Sequence, residues 1–129
     1  MKSPKGLITP DEAKELNNAY SERHELISKD ITKRPDNRSS WYSLEEIESF
    51  LAYAKAQAKE LGYEMDGIRI YCGAYPEEKE KAGYSTSFII PTTSDSLGKD
   101  GGGSSSDIIG ANGLNRGQGG VPPSANYPQ

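Results

Sequence analysis

The chain carries one cysteine, one histidine and one tryptophan in 129 residues, and no apolar run approaches the roughly 20 residues needed to span a bilayer. Each scarcity excludes something. A single cysteine closes no intramolecular disulfide, which removes the stapled secreted scaffolds and makes a reducing cytoplasm the expected setting. One histidine with one cysteine falls short of a typical zinc set. The opening MKSPKGLITP lacks the apolar stretch of about seven residues that a signal peptide needs, so a soluble cytoplasmic protein away from membranes is expected.

An excess of basic charge is also missing. Fifteen basic residues face 19 acidic ones, for a net charge of -4, which argues against a general nucleic-acid binder. The acidic excess sits in the middle of the chain, in Glu45, Glu46, Glu48 and the loop Glu77-Glu78-Lys79-Glu80-Lys81, and reads as solvated helix and loop faces. At 129 residues and 33% hydrophobic content the expectation is one domain, with its core concentrated in residues 1–91 and a tail over 92–129 packed on it.

What is present is organised by strong local signals. Thr9-Pro10-Asp11-Glu12 combines a threonine cap, proline at the first helical position and glutamate three residues after the cap. A helix is predicted over about 10–33, with Leu16, Tyr20, Ile27 and Ile31 as its apolar stripe, ending before Arg34-Pro35. Ser43-Leu44-Glu45-Glu46 opens a second helix over about 44–61, its stripe running Leu44, Ile47, Leu51, Ala54, Ala58 and Leu61 with Phe50 widening it. Residues 68–75 and 84–91 then alternate as the two strands of a hairpin. Two strands alone are marginal in water, so further strands are expected from the tail around Ser106 to Ile109 or from a second copy of the chain. The fold class is therefore α+β: two amphipathic helices on a small antiparallel sheet, with the glycine-rich tail, nine glycines and three prolines in residues 92–129, wrapping the domain.

Alternation divides the hairpin into two faces. Ile68, Ile70, Cys72 and Ala74 are expected to face the core with Thr86, Phe88 and Ile90, leaving Arg69, Tyr71, Gly73 and Tyr75 with Ser85, Ser87 and Ile89 on the other side. Cys72 is then core filling, and an activated Cys72–His24 pair is the weaker reading. Asp95, Asp100 and Asp107 match no calcium-loop spacing, and Gly98 to Ser104 lacks the order of a phosphate loop. No cofactor or metal is called for. Gly113 to Gly120 around Arg116 reads as surface coil or, alternatively, as an anion-binding nest.

The remaining candidate surface is Arg69, Tyr71, Tyr75, Ser85 and Ser87, with Arg116. Tyrosines outnumber phenylalanines eight to two, and tyrosine suits surfaces that are both packed and wet. Three readings stay open: a face covered by the tail, an interface with a protein partner or a second copy, or a cleft in which Arg69 holds a small anionic ligand. The segments Trp41 to Glu46, Asp66 to Pro76 and Ser87 to Thr92, with Leu114 to Gly117 and Pro122-Pro123, resemble small hypothetical proteins of Bacteroidota. That resemblance runs from about residue 38 onward. It implies a recurring module that includes the tail, and brings no catalytic residue with it. A non-enzymatic interaction or assembly module, with a homodimer as its simplest form, is the expectation, and a small-molecule binding protein or modest enzyme that uses the Arg69, Tyr71 and Tyr75 face on an anionic ligand is the alternative.

Overall fold

A computed structural model of the chain describes residues 3–77, 83–94, 105–115, 118–119 and 126–129. It is an α+β arrangement of two helices, α1 (Pro10–Leu26) and α2 (Leu44–Glu60), with a three-stranded antiparallel sheet of β1 (Gly67–Ala74), β2 (Ser85–Thr93) and β3 (Ser106–Asp107). Internal contacts divide the chain into two compact units: Met1–Ser39 with Tyr75–Ser85 and Gly119–Gln129, and Ser40–Ala74 with Thr86–Gln118.

In the first unit α1 begins as its sequence requires. Thr9 Oγ1 accepts the Glu12 N–H at 3.1 Å while Glu12 Oε1 accepts the Thr9 N–H at 3.0 Å, satisfying two donors that a bare helix start would orphan. The helix stays α-helical only to Leu26 and widens into a π-helical turn, Ile27–Ile31, before the proline. Its expected apolar stripe is turned inward only in part, with Tyr20 and Ile27 half-buried. Leu16 and Ile31 are 65% and 63% exposed, and no residue of α1 is fully buried. Asn17, Ser21, His24 and Ser28 are half-buried beside Tyr20 and Ile27, because the segment after the helix presents charged and backbone groups that polar side chains satisfy.

The second unit has the apolar core. Ser43 and Glu46 form a capping box at the start of α2. Phe50 and Ala54 then pack with Ile89 of β2, and Tyr42, Ile47, Met65 and Leu114 close around them. The buried face is the expected stripe, with Phe50, Ala54 and Ala58 buried and Ile47 and Leu51 half-buried, while its two ends, Leu44 and Leu61, stand exposed. The two alanines are fully buried, in keeping with the close approach that their size allows.

β2 is the central strand. The tail supplies the third strand where one was expected, with Thr92 opposite Asp107 and Thr93 opposite Ser106. Farther along β2, Leu114 and Ile89 exchange two backbone hydrogen bonds of 2.8 and 2.9 Å. Gly113 makes this approach possible: a Cβ there would fall 2.8 Å from the Ile89 carbonyl oxygen and 2.7 Å from Ile90 Cδ1.

The faces of β1 are opposite to the expectation. Tyr71 stacks on Phe88 with ring centroids 5.1 Å apart, and a Cβ on Gly73 would lie 3.1 Å from the same ring. Phe88 therefore belongs to the Arg69, Tyr71 and Gly73 side. Cys72 is exposed rather than core filling, and Ile68 and Ile70 are 41% and 65% exposed. Alternation identifies which residues share a face; the tail decides which face is covered.

Candidate interaction surface

The covered face of the second unit is built around two aspartates. Asp107 receives Arg69 Nη1 at 2.6 Å on one oxygen and the Tyr71 hydroxyl on the other, while Arg69 Nη2 donates to the Ser105 carbonyl at 2.9 Å. Asp66 accepts the Thr92 hydroxyl at 2.7 Å and the Ser105 hydroxyl. These bonds shape the titration of the groups. The hydrogen bond to Asp107 holds the Tyr71 hydroxyl above the ordinary tyrosine value and raises Arg69 likewise. The Ser105 and Thr92 hydroxyls hold the Asp66 carboxyl below its ordinary value. Two nitrogens of the Arg69 fork are thus spent on the tail, and the Tyr71 proton is held on its oxygen. The cluster ties Ser105–Asp107 to the sheet.

The other predicted residues lie elsewhere. Ser87 is in the second unit, where its carbonyl accepts Asn115 Nδ2 at 2.8 Å. Tyr75 and Ser85 belong to the first unit, and Arg116 lies outside the described residues. A groove of about 540 Å³ opens beside α2 over Phe50, Tyr53 and Leu114, but Glu45 and Glu46 rim it, a setting that repels an anion.

In the first unit the group that sequence reasoning missed is Asp36. It is fully buried, and its carboxylate accepts both the N–H, at 2.7 Å, and the hydroxyl of Ser85. Its own N–H bonds Ser28 Oγ at 2.8 Å, and its carbonyl meets His24 Nε2 at 2.7 Å. Two residues on, Arg38 donates to Ser21 Oγ at 3.1 Å and to the Asn17 carbonyl at 2.7 Å, lying 5.3 Å from the Tyr20 ring centroid. The signal for this network was available. Asn17, Ser21, His24 and Ser28 recur at helical spacing and form a polar stripe beside the apolar one.

Serine, histidine and aspartate so close together suggest a nucleophile and its base, but the hydrogen-bond roles deny it. A carbonyl oxygen only accepts, so His24 Nε2 carries the proton in its bond to Asp36 and has no lone pair there for Ser28, 3.5 Å away. The cluster is structural. Among the described residues, no group of three His, Cys, Asp or Glu is placed to hold a metal ion, and no helix is long and apolar enough to cross a membrane.

Among the exposed apolar residues of the second unit, which include Leu44 and Ile109, those of β1 form a row along one strand. It is the outer strand of the sheet, and Ile68, Ile70, Cys72 and Ala74 line its exposed face. No protein-family model, curated protein or solved structure matches the chain.

Proposed function

We propose that the chain is a small cytoplasmic, non-enzymatic assembly module in which two copies join through the open edge of β1. The observation that carries this reading is the outer position of β1, whose free edge pairs with no strand among the described residues. An outer strand offers a row of backbone donors and acceptors to any chain that can pair with it, and proteins that avoid such pairing blunt the edge with lysine, proline or a very short strand. β1 runs for eight residues, contains neither lysine nor proline, and exposes Ile70 to 65%. Its single charge, Arg69, is neutralised by Asp107, so nothing along the edge repels a second copy.

Size-exclusion chromatography with light scattering tests the reading. The native chain should gain mass with concentration, and Ile70→Lys should stay monomeric with an unchanged far-ultraviolet spectrum. A native chain that remains monomeric at high micromolar concentration overturns it.

A further inference from the structure

The geometry of the groove beside α2 points to a second site on this chain, one that takes a small organic cation: an ammonium group carried on an aromatic or alkyl body. The site goes beyond edge pairing and shares no residue with β1. At about 540 Å³ the groove falls within the range of roughly 300–1,000 Å³ that holds a small molecule. Its shape follows from the helix. Glu45, Ser49 and Tyr53 succeed one another at four-residue spacing, so they form one row along α2, about 12 Å long. Phe50, only 7% exposed, lies beside that row as the floor, and Leu114 stands across from it.

Both walls are fixed before any ligand arrives. Leu114 is held by its paired backbone bonds to Ile89. The Tyr53 hydroxyl accepts Asn112 Nδ2 at 2.8 Å, and the Asn112 N–H donates to Gln57 Oε1 at 2.8 Å, which ties the segment before Leu114 to the helix. With its hydroxyl engaged, Tyr53 offers the groove its ring. A groove formed in advance loses little ordering entropy on binding.

Charge then selects the occupant. Glu45 is exposed, and its carboxylate makes no hydrogen bond or ion pair among the described residues. Glu46 spends one oxygen on the Ser43 N–H at 3.3 Å and keeps the other. No lysine or arginine lines the groove among the described residues. The helix start contributes about half a positive charge, which two carboxylates outweigh. The groove therefore suits a body that is apolar along most of its length and cationic at the Glu45 end, and the Tyr53 ring attracts the same sign of charge. An anion is repelled, and a neutral body gains only the apolar contact.

Phenylpropylammonium, phenylpropanol and phenylpropionate share one body and differ in charge, so titrating the native chain with each separates charge from shape. Amide shifts in a nitrogen–proton NMR spectrum locate the binding. The ammonium should give saturable shifts centred on Ser49, Tyr53 and Leu114, with the alcohol about threefold weaker and the carboxylate about tenfold weaker. Glu45→Gln should bring the ammonium to the affinity of the alcohol and leave the alcohol unchanged, because the capping box uses Ser43 and Glu46. Glu45→Lys should reverse the order and favour the carboxylate, which keeps the test decisive if the neutral change is small. Equal affinities for the three probes, shifts centred elsewhere, no saturable shift, or an ammonium preference that survives Glu45→Lys overturns the site.

Discussion

The two units of this chain are held together by opposite kinds of interior. In the first, the most buried of the described residues is Asp36, whose carboxylate accepts from Ser85, whose N–H donates to Ser28 and whose carbonyl accepts from His24. In the second, Phe50, Ala54 and Ile89 form an apolar cluster with aliphatic and aromatic neighbours. The difference lies in what a substitution can leave behind. An apolar interior responds to lost volume and tolerates a change of shape, whereas a polar interior responds to a single unpaired donor.

That contrast can be broken from either side. Phe50→Ala should produce the largest loss, about 3–5 kcal/mol, because it removes transfer energy and leaves a cavity under α2. Phe50→Leu should recover most of it, leaving about 1 kcal/mol. Asp36→Asn preserves volume more closely still, yet should cost about 2 kcal/mol: the amide oxygen can keep the Ser85 N–H, but the charge-assisted bond from the Ser85 hydroxyl is replaced by a neutral one of opposite sense that leaves the hydroxyl proton without its acceptor. Urea unfolding of the three variants checks the ranking. Equal tolerance of Phe50→Leu and Asp36→Asn would remove the distinction between the two interiors.

A smaller effect is expected from pH at the tie between tail and sheet. The Asp66 carboxyl lies below its ordinary value of 3.8 in the folded chain, so its contribution is present above that value and is lost as pH falls through the lower folded one. The Tyr71 hydroxyl lies above 10.0, so its contribution is present below that value and is lost as pH rises through the higher folded one. Unfolding midpoints measured across pH should flatten at the acid end in Asp66→Asn and at the alkaline end in Tyr71→Phe. Unchanged profiles would mean that these bonds contribute nothing to folding.

Much of the fold is legible in the residues because the signals are local. Both capping boxes form where Thr9-Glu12 and Ser43-Glu46 announce them, and the hairpin and third strand occupy nearly their expected positions. What is not legible depends on distant partners. The alternation of β1 is clear, but its apolar row is left exposed because Asp107 arrives 38 residues later to engage Arg69 and Tyr71 on the other face. Likewise α1 offers two stripes, and Asp36 and Arg38 draw in the polar one together with Tyr20 of the apolar one. The candidate surface consequently moves to the opposite side of the same strand, from Arg69 and Tyr71 to Ile68, Ile70 and Cys72.

Edge pairing by β1 is tested most directly by sedimentation equilibrium of the native chain beside Ile70→Lys over a wide concentration range. The account predicts a native mass that rises from 14.0 kDa toward twice that value, while the variant stays at the monomer mass. A native mass fixed at 14.0 kDa throughout, or a variant that dimerises as readily as the native chain, would contradict it.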